Sequence, residues 1–580
     1  MLSLIKYLKP YKKESIIGPL FKLLEACFEL AVPVIMANII DIGIKNQDLN
    51  YILKLGGLMI FLGVLGLTCS LTAQYFAAKA SMGFGTALRK ALFTHIQSFS
   101  HAEFDTLGTS TLITRLTSDI NQAQAGVNLV LRLFLRSPFI VIGALIMSFT
   151  ISTKLSLVFV LTTFLLSFVI YGMMFVTFPL YKRIQQKVDK VSKSTRENLV
   201  GVRVIRAFSK QKSEITAFQQ ISEELLDTQL LAGKLSALLN PLTYVLVNLA
   251  IIAIIYFGAG QVNVGSLSQG EVIALVNYMT QILLALLAMS ILIVSFTKAY
   301  ASGTRINEIF KVHSSQVEKN SLNAAIEKTP HKVVFEDVSF MYGTSQEASI
   351  SHISCEMKVG ETIGIIGGTG AGKTTLIQLI PRFYDATSGK VLVDGIDVKD
   401  YPFDQLRSKI RIVPQRVVLF KGTIRDNMKW GNLNASDEEI YKALDIAQAK
   451  DFVDSLEGGL DYMLVQGGRN LSGGQRQRLT IARALVGNPE ILILDDSSSA
   501  LDFATDAALR SAIKEKTTNM LVLIVSQRSS SIKNADHIMV LDDGMLVGYG
   551  KHQELLESCD VYKEICLSQL SAEEVSANAH

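Results

Sequence analysis

Charge is scarce in this sequence: Asp, Glu, Lys and Arg make up only 19% of its 580 residues. An average globular chain carries about 25%, so much of this protein's surface does not face water. The composition excludes a disordered, collagen-like or coiled-coil chain. Cysteine is also sparse. Cys27, Cys69, Cys355, Cys559 and Cys566 stand far apart without paired spacing, which supports neither a disulfide framework nor a zinc site. Net charge is only +4, too mild for a nucleic-acid partner. What the chain has instead is apolar length, with 49% hydrophobic residues and a mean hydropathy of +0.33. It reads as a membrane protein with a soluble portion.

The apolar residues are concentrated in residues 1–310, in six stretches at about 16–40, 52–77, 128–150, 155–178, 237–258 and 271–297. Each is near or above the roughly 20 residues an α-helix needs to cross a bilayer. The amino end, MLSLIKYLKPYKKES, is short and basic and lacks a small-residue cleavage site, so no signal peptide is expected. Basic residues crowd the segment after the fourth stretch, from Lys182 and Arg183 to Lys210 and Lys212. The loops Gly43–Asn50, Ser152–Lys154 and Gly260–Gln269 hold only Lys45 and Lys154. The positive-inside rule then places both termini in the cytoplasm of a multi-pass cell-membrane protein. Two cytoplasmic stretches, Lys79–Gln124 and Tyr181–Lys234, lack proline and keep helical apolar spacing. The spanning helices are expected to continue through them, broken once near His101–Ser110 and once near Glu197–Phe208. A helix cap around Asp105–Ser110 accounts for the first break.

A polar link at 311–330 leads to a soluble part, 331–580, where short β-like runs alternate with helical segments in the α/β pattern. Asp394-Gly395 reads as a hairpin turn. Gly367–Thr374 reads GGTGAGKT, the G-x-x-x-x-G-K-[ST] pattern between a β-run and a helical run. Gly367, Thr369, Gly370, Ala371 and Gly372 would close backbone N–H groups around phosphate oxygens, with the helix N-terminus adding a favourable dipole. Lys373 would neutralise the β/γ-phosphates, Thr374 would hold Mg²⁺ through its hydroxyl, and Thr375 follows in the same turn. The run ILILD ends on Asp495, a carboxylate suited to orienting that ion. Twenty residues before it stands LSGGQ, Leu471, Ser472, Gly473, Gly474 and Gln475, a second phosphate-gripping surface at a helix N-terminus. One nucleotide does not need two such surfaces from one chain, so a head-to-tail pair of chains is the economical solution.

With these motifs the sequence resembles the ABC transporter superfamily, specifically exporter half-transporters with six spans followed by one nucleotide-binding domain. The resemblance implies a membrane all-α bundle of the domain-swapped exporter type, with long cytoplasmic extensions, joined to an α/β P-loop domain with a helical subdomain. It implies ATP (or GTP) and Mg²⁺ as cofactors and a second half-transporter as partner. Tyr342 looks like the aromatic that stacks on the purine. Gln415 looks like the glutamine that senses Mg²⁺. Ser499, Ala500, Leu501 and Asp502 look like the D-loop, and His101–Thr106 and Asn198–Ala207 like the coupling helices.

Two positions depart from the family pattern. Asp495 is followed by Asp496 where the family has a glutamate that polarises the attacking water, and Gln527 stands where it has a histidine that contacts the γ-phosphate. Asp is one methylene shorter, so its carboxylate falls short by roughly 1–1.5 Å, and a misplacement of that order can cost about 10²-fold in rate. Glutamine keeps a hydrogen bond but relays no proton. Together with an intact LSGGQ, this resembles the degenerate-site subunit of a bacterial heterodimeric multidrug exporter. Such a chain would move small hydrophobic or amphipathic compounds out of the cell by alternating access. A lipid or lipopeptide flippase is the alternative; a nucleotide-gated channel or non-transporting regulator is the alternative of another class. Only about fifteen residues precede the first span, so an amino-terminal peptidase domain is not expected.

For the substrate pathway the sequence offers Glu25 and Glu29, one turn apart in the first span, and Asn277, Tyr278 and Gln281 in the sixth. Pairing of Glu25 with Lys22, and helix bridging by Asn277 and Gln281, explain the same residues without a substrate. Arg132 and Arg136 are placed at the cytoplasmic interface, and Asp41 at an external gate.

Overall fold

The computed structural model describes residues 2–319, 330–343, 347–497 and 500–569. It separates into two compact units, Met1–Gln97 with Ser110–Val312, and Ser98–Thr109 with His313–His580.

The first unit is helical. Among the described residues, six helices are long and apolar enough to cross a membrane: Ser3–Ile44, Leu49–Gln97, Thr109–Ile151, Thr153–Val200, Gln211–Asn263 and Gln269–Lys311. They are called spans 1 to 6. All exceed the roughly 20 residues a bilayer requires, and the surplus is the helical extension expected from the proline-free stretches. Large apolar side chains stay exposed along them, among them Ile60, Phe61, Val64, Phe164, Phe168 and Phe175, as lipid contact demands. Small residues let the backbones approach: a Cβ at Gly126 of span 3 would come within 2.1 Å of Ala299 Cβ on span 6.

Several charged groups inside this unit are paired. Lys22 meets Glu25 at 2.5 Å and Ser70 Oγ at 3.1 Å, and Arg136 donates to Glu29 at 2.7 Å. Asp119, 3% exposed, accepts from Arg115 at 2.8 Å and from Arg305 Nε at 3.1 Å. Where the end of span 1 meets the start of span 6, Asp41 accepts from the Ser268 hydroxyl and, at 2.8 Å, from the Gly270 N–H. A side chain at Gly270 would strike the Ala37 carbonyl at 2.3 Å, so only glycine permits that approach.

The second unit is α/β. A six-stranded sheet runs β12-β11-β3-β10-β9-β6 and a four-stranded antiparallel sheet runs β2-β1-β4-β5. In chain order the strands are β1 His331–Phe340, β2 Ile350–Lys358, β3 Thr362–Gly367, β4 Ser388–Val393, β5 Ile396–Asp397 and β6 Ile410–Val413. There follow β7 Gly422–Thr423, β8 Met463–Leu464, β9 Ile491–Asp495, β10 Leu521–Val525, β11 His537–Asp542 and β12 Met545–Gly550. Strands β11, β3, β10, β9 and β6 are parallel, and β9 is buried at every position. That is why ILILD is a continuous apolar run rather than an alternating one. β4 and β5 pair as a hairpin across Asp394 and Gly395, whose φ values of 52° and 78° are those of its tight turn. A parallel sheet binds ligands beyond the carboxyl ends of its strands, and there the candidate groups gather.

Candidate functional site

Past the end of β3 the backbone wraps a loop. Gly370 and Gly372 both take φ near +88°, and a side chain at Gly372 would meet the Ser349 carbonyl at 2.6 Å. Only glycine serves both needs. Helix Lys373–Leu379 starts there, pointing its free N–H groups into a cavity of about 550 Å³. Tyr342, Thr369 to Thr375, Gln415, Asp495, Asp496 and Gln527 line that cavity.

Lys373 is buried and folded back, its Nζ donating to the carbonyls of Gly367 at 2.9 Å and Gly368 at 2.6 Å. Burial pushes its ammonium below the usual lysine range, while Asp496 and Asp495 pull the other way. Thr374 Oγ1 donates to the Asp495 carboxylate, 3.2 Å from either oxygen. Asp495 is only 5% exposed. Burial raises its carboxyl above the ordinary range, Thr374 opposes the shift, and the neighbouring Asp496 adds to it. Gln415 Nε2 donates to Asp496 Oδ2 at 3.3 Å. Asp496 itself sits at φ 44°, a left-handed conformation uncommon for a residue other than glycine and frequent at functional positions. Tyr342 is half-buried, its hydroxyl 3.2 Å from Thr375 Oγ1.

Hydroxyl, carboxylate and amide oxygens converge here, a hard donor set that suits Mg²⁺. A glycine cradle with a helix N-terminus suits phosphate. The cavity thus fits a Mg-bound nucleoside triphosphate.

LSGGQ lies elsewhere: none of Leu471 to Gln475 lines the cavity. Ser472 caps helix Gly473–Leu485, taking the Gln475 N–H at 3.2 Å while Gln475 Oε1 takes the Ser472 N–H at 2.9 Å. Gln477, buried beneath, accepts from the Ala500 N–H at 3.1 Å. Leu501 is buried, and Asp502 caps the next helix through the Thr505 N–H at 2.8 Å. Ser499 lies outside the described residues, as do residues 320–329 of the polar link.

The first break in the hairpins has two parts. The long helix of span 2 ends at Gln97, a short helix His101–Leu107 follows, and Gly108 ends it at φ 73°, within the expected cap at Asp105–Ser110. Its cap is Ser100 with Glu103, because a serine three residues before a glutamate can satisfy two N–H groups reciprocally. Glu103 also accepts from the Ser315 N–H at 3.0 Å. His101 stacks on Phe383, 4.4 Å between centroids, and the Tyr384 hydroxyl donates to Asp105 at 2.6 Å. Tyr384 in turn packs edge-on against Tyr342 at 5.2 Å, so this short helix is two side chains from the cavity wall.

The pathway residues are only partly brought together. Gln281 Nε2 donates to the Glu29 carbonyl at 3.3 Å, linking spans 6 and 1. Tyr278 is fully buried, its hydroxyl on the Leu30 carbonyl at 2.6 Å, so it meets no solute without helix displacement. Glu25 is taken up by Lys22, and Asn277 is exposed. The sequence reading missed Ser349, Ser526, Asp543 and Gly544 on the cavity wall. The Asp543-Gly544 turn after β11 was the available signal.

A family model described as the ABC transporter transmembrane region matches residues 15–306, and one described as ABC transporter matches residues 350–499. The uncharacterized ABC transporter ATP-binding protein YfiB of Bacillus subtilis (strain 168) is 37% identical over 99% of each chain. The ATP-dependent lipid A-core flippase of Vibrio vulnificus (strain CMCP6) is 29% identical over 96% of each chain. Among solved structures, a bacterial Atm1-family ABC exporter with ATP bound matches at TM-score 0.79 and 22% identity, covering 97% of this chain and 99% of that one; that likeness speaks for the fold alone. A six-helix membrane domain and one ATP-hydrolysing domain on a single polypeptide, matched end to end by such relatives, make this chain a member of the ABC transporter family, of the exporter half-transporter type.

Proposed function

We propose that this half-transporter is one member of a heterodimeric exporter and that its own nucleotide site is the weaker of the two. The observation that carries the reading is Asp496 and Gln527 on the wall of a cavity whose phosphate cradle is otherwise complete, in a chain that keeps LSGGQ. In this reading Lys373 exchanges the carbonyls of Gly367 and Gly368 for the β/γ-phosphates. Thr374, Asp495 and Gln415 hold Mg²⁺, which neutralises phosphate charge when bound. Tyr342 stacks on the purine. Asp496 orients water from too far back, and Gln527 offers a hydrogen bond without proton relay. Ser472, Gly473 and Gly474 close over the nucleotide of the partner.

Exposed apolar surface favours a partner. Helix Val202–Ala207 buries none of its residues, with Val204 60% and Phe208 71% exposed. On the second unit, exposed Phe420 stacks on exposed Trp430 at 4.6 Å. Surfaces of this kind mark contact sites. The cargo in this reading is small, hydrophobic or amphipathic, moved outward from the cytoplasmic side by alternating access. Resemblance to lipid A-core flippases favours lipid as the second reading.

The test is asymmetry. In the complex with its partner half-transporter, Ser472→Ala in this chain should cut ATP turnover by about 10²-fold, as loss of a donor at a working site does, whereas Lys373→Ala should leave much of it. Robust turnover by this chain alone, abolished by Lys373→Ala, refutes the weak-site reading. In liposomes, dye transport without flipping of labelled lipids supports the drug reading, and the reverse result supports the lipid one.

A further inference from the structure

The helix Asp560–Gln569 ends against the loop that carries Gln527. It is anchored by Tyr562 and Cys566, both fully buried, and the Tyr562 hydroxyl lies 2.7 Å from His552 Nδ1. Gln569, one turn beyond, uses both ends of its side-chain amide. Nε2 donates to the Gln527 carbonyl at 2.7 Å, and Oε1 accepts from the Ser529 N–H at 2.9 Å and the Ser529 hydroxyl at 3.2 Å. The amide thus serves the C=O of one residue and the N–H of the second after it, as a neighbouring strand does. The rest of the loop is held as well. Ser526 N–H donates to the Ile365 carbonyl at 3.1 Å, Arg528 N–H donates to Ser526 Oγ at 3.0 Å, and the Arg528 guanidinium lies 5.4 Å over the Phe503 ring. Gln527 lines the cavity with its backbone carbonyl clamped.

We propose that Gln569 is a positioning residue of the nucleotide site: by gripping the backbone on both sides of Arg528 it presents the Gln527 amide to the terminal phosphate. The inference rests on the nucleotide reading of the cavity given above. A group held in its binding geometry beforehand loses less freedom on binding. Because Gln527 meets only the third phosphate, the clamp bears on ATP and not on ADP.

The experiment uses the full-length chain in lipid nanodiscs, with MgATP and MgADP affinities measured alongside amide hydrogen exchange. Gln569→Ala should reduce the preference for MgATP over MgADP about two- to ten-fold, the range for one net hydrogen bond. MgADP affinity should hold, and exchange at Gln527–Ser529 should quicken. Gln569→Glu keeps the acceptor for Ser529 and loses the donor to Gln527, so its effect should be intermediate. Unchanged exchange, an unchanged preference despite faster exchange, or equal loss of both affinities would overturn the proposal. Lys373→Ala separates the two readings. If it still binds both nucleotides normally, the cavity reading fails and this one with it. If it loses both while Gln569→Ala behaves as wild type, the clamp alone is wrong.

Discussion

Asp495 shows how one buried carboxylate couples stability to ligand. Its folded carboxyl is raised by burial, so between the unfolded and folded pKa values the native state binds the extra proton. Its favourable contribution is complete below the unfolded value and is lost as pH rises through the folded one. At neutral pH the ionised group therefore opposes folding until a cation arrives. Asp495→Asn should raise the melting midpoint of the nucleotide-free protein at pH 7 and flatten its dependence on pH in the acid range. It should also abolish the further rise produced by MgATP. Thermal melts with and without MgATP decide it, and a lower midpoint for the variant without nucleotide would contradict the assignment. In the weak-site reading, Asp496 is limited by reach. Asp496→Glu combined with Gln527→His should restore turnover at this site by about 10²-fold, the cost attributed to the misplaced base. Steady-state ATPase assays on the complex in which Ser472→Ala has silenced the partner's site would show it, and no gain would locate the weakness elsewhere.

Among the elements, the short helix His101–Leu107 belongs to the second unit although its sequence lies between two spans. Glu103 holds it there. Burial tends to raise the Glu103 carboxyl, but hydrogen bonds from Ser100 and Ser315 outweigh this and keep it low. Glu103→Ala strands the N–H groups of Ser100 and Ser315, at a cost of about 1–3 kcal/mol. Exchange and proteolysis at Ser98–Thr109 should then quicken while MgATP binding persists; a helix as protected as before would show that the ring stack of His101 on Phe383 suffices. Sequence made some elements plain and hid others for a physical reason. The spans and the loop before Lys373 announce themselves because apolar length and glycine spacing are local properties. β2 and β12 did not, because they take their identity from the strands beside them, β2 from β1 and β12 from β11. Gln569 stands 42 residues from Gln527, and nothing in an exposed glutamine near a chain end signals that contact. Tyr278 misled for the opposite reason: a phenol in a membrane helix suits a polar pathway, yet it is equally able to bury its ring and give its hydroxyl to a backbone carbonyl.

At the scale of the whole molecule, the two units hold different kinds of unfinished surface. The first leaves apolar side chains for lipid and the fully unburied helix Val202–Ala207, with its two arginines, exposed. The second leaves a triphosphate cradle on one face and a capped LSGGQ helix away from it. In the proposed pairing of two chains, each of these surfaces finds its counterpart on the partner. The Asp41 contacts bear on how such a pair spends its time. One carboxylate holds both the Ser268 hydroxyl and the Gly270 N–H, so parting these ends of spans 1 and 6 breaks both bonds and returns an acid to water, while the Ser268–Glu271 capping box keeps the first turn of span 6 capped. Under the alternating-access reading, that latch holds the two helix ends together until the cycle parts them.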